Sequence, residues 1–483
     1  MWKWTASVVL LSFVLNRIDW TTTYLYFFEE TKTKYDLVIG ILSSRSNFQQ
    51  REAIRKTWLS ILNNSSILSN FNAKAWFIVG NRDCPIPVEY RLNDYDCQLW
   101  EANVSDIKMN EEFSTEKISI VNNHDSKHHH YVHQGFSFQV NYPIIIKRLG
   151  VLAEGLLPNS SVKVTLLNGP LKEIVVKTMI NFEGFNTEVN GFLYRSVTPY
   201  LLPKRFEGVL LVEGVLSRKA LSLVEWNNGS GLITFQRIYK MADDSESMEF
   251  DNKNLVAPSM MFALSDRNNF LNFETDRKNA ISNWKKSLLL TSLNLQRELE
   301  TWNDIYLVDV IDVYRNLPVK LLKFLNGIVD KYKLLAFLKT DDDCFIHIPN
   351  IVKELRNPKY KLSHNWWWSR FRRNWIVNYF GKWKDFNYAS FVYPAFPCGG
   401  GYVLSSEVVN WIANNENALF PYQGEDVSIG IWLSATIFKK HEDDRWNCEE
   451  GCRENSFNRV QLSNEDMYKI WNTYISCGNI CHC

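Results

Sequence analysis

Two nearly continuous apolar runs constrain this chain more than anything else in it: Tyr35–Leu42 (YDLVIGIL) and Ala75–Gly80 (AWFIVG). Runs without a polar side read as parallel strands covered on both faces. Between them Asn47–Leu62 has helical spacing and lacks Gly and Pro. Strand, helix, strand is a βαβ opening, whose ligands gather at the carboxyl ends of the strands. The same pattern resumes with strands at Ile305–Val310 and Leu334–Lys339 and helices at Pro318–Lys331 and about Ile351–Arg356. The expected fold class is α/β, a Rossmann-like mixed sheet.

From about Cys84 to Asn283 the period changes. Val162–Leu167, Glu173–Ile180, Gly208–Glu213 and Gly231–Ile238 alternate, separated by turn signals such as Asn168-Gly169-Pro170 and Asn227-Asn228-Gly229. This predicts a β-rich, sandwich-like insert. The expected organisation is an N-terminal segment at 1–28, the first α/β part at 35–82, the insert at 84–283, the second α/β part at 288–440 and a Cys-rich extension at 441–483. With 46% hydrophobic and 22% charged residues, the 483-residue chain builds large cores. A net charge of +1 argues against a nucleic-acid partner.

Nine cysteines include five in the C-terminal extension, spaced Cys448-x3-Cys452 and Cys477-x3-Cys481-x-Cys483. The spacing fits zinc poorly and favours disulfides. Sequons at Asn63, Asn64, Asn103, Asn159 and Asn228 fit a secretory route as glycosylation sites. The apolar stretch Ala6–Leu15 behind Lys3 is shorter than a full membrane span and lacks a small-residue cleavage site. It reads as an uncleaved signal-anchor, with a cleaved signal peptide as the alternative.

Leu334–Lys339 runs directly into Asp341-Asp342-Asp343. Adjacent carboxylates repel unless a cation or hydrogen-bond donors neutralise them, and oxygen ligands suit a hard divalent ion. Strand alternation would put Asp341 and Asp343 on one face. An exposed acidic turn is the bland alternative, opposed by the apolar residues on both sides. Glu425-Asp426 precede an apolar helix and offer a general base, or simply acids in a helix's first turn. Gly399–Gly401 permit close backbone approach. Arg51 and Arg55 share a helix face and could meet phosphates, or form a solvated basic face. Histidines at 124, 128, 129, 130 and 133 read as a solvated loop rather than a metal site, and the 18 tryptophans as packing or a sugar-binding groove.

Five ordered motifs resemble the β-1,3-glycosyltransferase family. They are Arg51-Glu-Ala-Ile54-Arg55-Lys-Thr57-Trp58, Asp312 through Lys320, Phe337 through Asp343, Tyr393-Pro394 with Cys398 through Tyr402, and Glu425-Asp426-Val427. The insert, the Tyr-Gln-Gly-Glu-Asp-Val-Ser string and the Cys-rich tail resemble its N-acetylgalactosaminyltransferase branch. The resemblance implies a GT-A fold, inversion, Mn²⁺ and UDP-GalNAc as donor. It also implies a β-GlcNAc-terminated acceptor, including the O-mannosyl type, on a glycoprotein. The topology implied is type II, with the catalytic part in the Golgi or endoplasmic reticulum lumen. By motif, Asp341 and Asp343 would ligate metal, with Asp342 beside them. Asp426 would be the base with Glu425 next to it, and Arg51, Arg55 and Lys320 would lie near the donor. Relatives often place a metal-ligating His downstream of the base within a Val-His-like strand, whereas His441 and His482 sit in no such segment. The competing expectations are UDP-Gal or UDP-GlcNAc as donor, or a carbohydrate-binding protein that has lost catalysis.

Overall fold

The computed structural model describes residues 32–63, 68–102, 112–117, 129–217, 225–241, 258–362, 365–453 and 455–481. In chain order they include β1 (Thr33–Leu42), α1 (Phe48–Lys56), β2 (Ala73–Arg82), β3 (His129–Val140), β4 (Ile144–Leu152), β5 (Ser161–Asn168) and β6 (Glu173–Asn181). Next come β7 (Phe192–Leu202), β8 (Glu207–Ser217), β9 (Ile233–Met241), β10 (Pro258–Leu264), α2 (Arg267–Thr301), β11 (Ile305–Ile311) and α3 (Leu317–Lys331). The remainder includes β12 (Tyr332–Asp341), α4 (Ile348–Leu355), β13 (Trp366–Ser369), β14 (Tyr402–Ser405), α5 (Ser406–Asn414), α6 (Glu425–Ser434), β15 (Lys439–Glu442) and α7 (Asn464–Cys477).

A seven-stranded mixed sheet runs in the order β11-β2-β1-β12-β14-β13-β15. The first four strands are parallel, and β14 pairs antiparallel with β12. Each face carries its own core. Leu37, Ile39, Ile41 and Leu338 pack with Trp58 and Phe345, whereas Val38, Leu42 and Phe337 pack against Leu321, Val408 and Ile429 of α3, α5 and α6. Burial on both sides is why these strands are apolar throughout. Trp366, Trp367 and Trp368 of β13 are buried in these cores, so much of the tryptophan is packing.

The alternating middle region forms two five-stranded antiparallel sheets. One has the order β9-β3-β8-β5-β6. In the other, β10, β4 and β7 are flanked by the short strands Phe113–Ser114 and Thr187–Val189. Phe138, Val164 and Leu210 of the first sheet and Ile146, Tyr194 and Met260 of the second belong to one core.

Several expectations need correction. The change of character placed at 283–288 falls inside α2, one continuous helix of 35 residues. It begins where Asp266 accepts a hydrogen bond from the Asn269 amide at 3.0 Å, and it contains no Gly or Pro to stop it. Only Phe270 and Leu295 of it are fully buried, so its apolar stripe is too thin to read. The helix expected to Leu62 ends at Lys56 and continues as a 3₁₀ turn over Trp58–Asn63. His129 and His130 open β3 rather than a loop, while His124 and His128 lie outside the described residues.

Disulfides join Cys84 to Cys97, Cys398 to Cys448 and Cys452 to Cys481. Cys477 is also disulfide-bonded, and the buried Cys344 is a free thiol. Asn63, Asn159 and Asn228 are exposed, whereas Asn64, Asn103 and the segment 1–28 lie outside the described residues. Among the described residues no helix is long and apolar enough to cross a membrane.

Candidate active site

A cleft of about 740 Å³ opens at the carboxyl edge of the seven-stranded sheet. Its floor follows from strand register. Leu42, the end of β1, pairs with Asp341, the end of β12, and Lys339 pairs with Tyr402, the start of β14. Ser43 and Ser44 therefore border the acids on one side, and Gly399–Gly401 border them on the other. The Asp342 amide donates to the Leu42 carbonyl, and Thr340 Oγ1 to the Gly400 carbonyl at 3.2 Å.

Period-two alternation puts Lys339 and Asp341 on the same face. Lys339 is fully buried. Its Nζ lies 2.8 Å from Asp341 Oδ1 and 2.5 Å from Glu425 Oε1, and it donates to the Gly399 carbonyl at 2.6 Å. Burial works against this charge, but Asp341 and Glu425 outweigh it and hold the ammonium pKa above its ordinary value. One ammonium thus draws the acid strand and the start of α6 together. It was missed as a site residue, although a lone Lys in an otherwise apolar strand end was a visible signal.

Gly424, at φ +85°, turns the chain into α6. Glu425 and Asp426 occupy the first turn of that helix, where acids are favoured. Asp426 Oδ1 accepts from the Val427 amide at 2.8 Å. A Cβ on residue 399 would come within 3.1 Å of Asp426 Oδ2, so glycine there leaves the carboxylate its place. Burial, followed by the charge of Glu425, raises the Asp426 carboxyl to about 7.

Alternation does not join Asp341 to Asp343, because the strand ends at Asp341 and a turn follows, with the Cys344 amide donating to the Asp341 carbonyl at 3.2 Å. The turn still brings one oxygen of each aspartate and the Cys344 sulfur within 4.8 Å of one another. The Cys344 thiol donates to Asp343 Oδ1 at 3.2 Å, and burial keeps it protonated. The usable donors are therefore two carboxylates, a set that fits a hard divalent cation. Asp342 lines the cleft and accepts from Asn47 Nδ2 at 2.9 Å. Burial raises its pKa. His441 packs edge-on against Tyr360 and Trp366, away from the cleft. His482 lies outside the described residues, and no described histidine lines the cleft.

Lys320 lines the cleft, but its Nζ is bound to Asp312 at 2.6 Å and to the Ser43 carbonyl at 2.8 Å. Neither Arg51 nor Arg55 lines the cleft, and both are engaged by acids. Arg51 is fully buried on Glu298 at 2.7 Å and braces the loop by donating to Ser43 Oγ and the Ser44 carbonyl. Arg55 pairs with Glu298 and Asp304 and lies over the Phe77 and Trp302 rings. The acids that claim both arginines sit on and just after α2, some 250 positions away in sequence by the separations of 247 and 249.

Comparison with known proteins adds lineage to this geometry. UDP-GalNAc:beta-1,3-N-acetylgalactosaminyltransferase 2 of Xenopus laevis is 35% identical over 99% of this chain and 97% of its own length. The chain belongs to that family. The protein of the same name from Mus musculus is 35% identical over 93% of this chain and 89% of its own. Beta-1,3-galactosyltransferase 6 of Mus musculus is 28% identical over 39% of this chain and 59% of its own length. The family profile described as Galactosyltransferase matches residues 291–444, a span holding Lys320, the three aspartates and Glu425-Asp426. The chain is a β-1,3-glycosyltransferase.

Proposed function

We propose that the protein has a GT-A-type catalytic part and moves GalNAc from UDP-GalNAc, with inversion, to the 3-hydroxyl of a β-GlcNAc-terminated glycan of the O-mannosyl type. The observation that carries the chemistry is the single cluster in which Lys339 ties Asp341 to Glu425, with Asp426 beside it. The donor is supported by near-full-length likeness to enzymes named for it. Asp426 takes the proton from the acceptor hydroxyl while that oxygen attacks the anomeric carbon and the bond to the diphosphate breaks. Its raised pKa suits proton capture near neutrality. Lys339 holds Glu425 in place beside Asp426. Asp341 and Asp343 would hold the divalent cation, Mn²⁺, which when bound neutralises charge on the departing diphosphate. Residues 1–28 would anchor the chain in the Golgi or endoplasmic reticulum membrane, with the catalytic part in the lumen. The disulfides and the exposed Asn63, Asn159 and Asn228 support that compartment.

The test uses the full chain in detergent with Mn²⁺ and a β-GlcNAc glycoside. UDP-GalNAc, UDP-Gal and UDP-GlcNAc are supplied separately, and the product linkage is read by NMR. A β1-3 GalNAc product that disappears in Asp426→Asn supports the reading. Transfer from another donor changes the substrate, and glycan binding without any transfer points to a carbohydrate-binding protein.

A further inference from the structure

The outer wall of the cleft is fastened to the two-sheet region along one short stretch. Arg237 of β9 lies over the Tyr379 ring at 3.7 Å. Phe380 packs against the turn after β5, where a Cβ on Gly169 would come within 2.4 Å of its ring. Glu207, the first residue of β8, accepts from the Gly381 amide at 2.6 Å through one carboxylate oxygen. Its other oxygen accepts from Lys384 Nζ at 2.6 Å, and Gln139 Oε1 of β3 accepts from the same ammonium at 2.8 Å. The Glu207 and Lys384 side chains are each only 9% exposed. A buried charge pair with both hydrogen-bond partners fixed tolerates little movement.

The clamped stretch presents Lys382 and Trp383 to the cleft. Trp383 is 53% exposed, and its Nε1 donates to the Tyr314 hydroxyl at 3.1 Å. Tyr314 stands close to the catalytic acids: after burial, the charges of Glu425, Asp426 and Asp341 are what raise its pKa. Tyr379, in the same stretch, packs with Tyr393, Phe396 and Val427, the residue after Asp426. An exposed indole lining the same cleft as Asp426 suits the apolar face of a sugar ring.

We propose that the two-sheet region is a positioning clamp for acceptor binding: Glu207, Gln139 and Lys384 hold Trp383 where it stacks on the acceptor sugar next to Asp426. This rests on the glycosyl-transfer reading above. Glu207 and Lys384 touch no substrate and act through Trp383.

The experiment compares the full-chain wild type with Glu207→Gln, Lys384→Met and the charge-swapped pair Glu207→Lys with Lys384→Glu. Each single variant is expected to raise the acceptor KM roughly ten- to a hundredfold, as a displaced positioning group does. Donor KM and acceptor-free hydrolysis of UDP-GalNAc stay within about twofold. Backbone amides of residues 379–385 exchange faster with solvent, and the swapped pair recovers part of the acceptor KM. Loosened amides with an unchanged acceptor KM overturn the proposal, as does a parallel rise of donor and acceptor KM. Should the wild type transfer no sugar, the reading of function falls. Saturation-transfer NMR with the β-GlcNAc glycoside then decides the clamp: binding lost in Glu207→Gln supports it, and equal binding, or none to either protein, overturns it.

Discussion

Replacing Lys339 by Met tests the electrostatics of the site directly. Met roughly keeps the volume and removes the charge, so no large cavity complicates the result. The lost ammonium neutralises Asp341 and Glu425 and donates to the Gly399 carbonyl. Breaking one buried pair costs about 3–5 kcal/mol, and two carboxylates left facing each other place this change at the upper end, about 5 kcal/mol. At about 2–4 °C per kcal/mol for a domain of this size, the melting midpoint should fall by about 10–20 °C. The sign with pH follows from the carboxylates. Burial already raises Asp341 and Asp426 above the ordinary range, and both would rise further without Lys339. A carboxyl that binds its proton more tightly folded than unfolded destabilises the fold as pH climbs through that range. The deficit of Lys339→Met should therefore be larger near about pH 8 than near about pH 5.5. Scanning calorimetry of both proteins in EDTA measures it. A midpoint within about 2 °C of wild type at the higher pH, or a deficit that grows on acidification, would refute the reasoning.

Three further outcomes follow from the geometry. Asp426→Asn should lower kcat by about 10²–10⁴ with the fold intact, and wild-type kcat should fall as pH drops through about 7, where Asp426 takes up its proton; a flat pH–rate profile would count against the base. Arg55→Met leaves Asp304 without its arginine and Glu298 with Arg51 alone and should cost about 3 kcal/mol in urea unfolding, while donor KM stays unchanged, in contrast to a phosphate-binding arginine. Replacing Cys398 and Cys448 by Ser opens a loop with a separation of 50 and should cost about 3–4 kcal/mol; because Gly399 follows directly, kcat should drop as well.

The strand ends and their acids were legible because they obey local rules. A strand buried on both faces must be apolar, so Asp341 at the end of such a run stands out, and Gly424-Glu425-Asp426 announces a helix start. The arginine roles were not legible. Arg51 and Arg55 look available on α1, yet their partner Glu298 comes from a helix whose apolar stripe is too thin to recognise and whose position only the packed sheet defines, and Asp304 comes from the turn just after it. The turn that brings Asp343 back toward Asp341 was likewise mistaken for a continuing strand, although the pairing expected of the two acids survives by another route.

The sequence by itself determined the parallel strands, the interruption by alternating β structure, and the residue types at the carboxyl edge, because periodicity and burial act on neighbours along the chain. Tertiary structure decided which charges meet. Lys339 reaches Glu425, and Glu207 reaches Lys384, across separations that no local pattern encodes. Whether a cation is free for a ligand or already neutralised depends on groups brought within a few ångströms by the fold, since Coulomb attraction is governed by distance and burial and not by order in the chain.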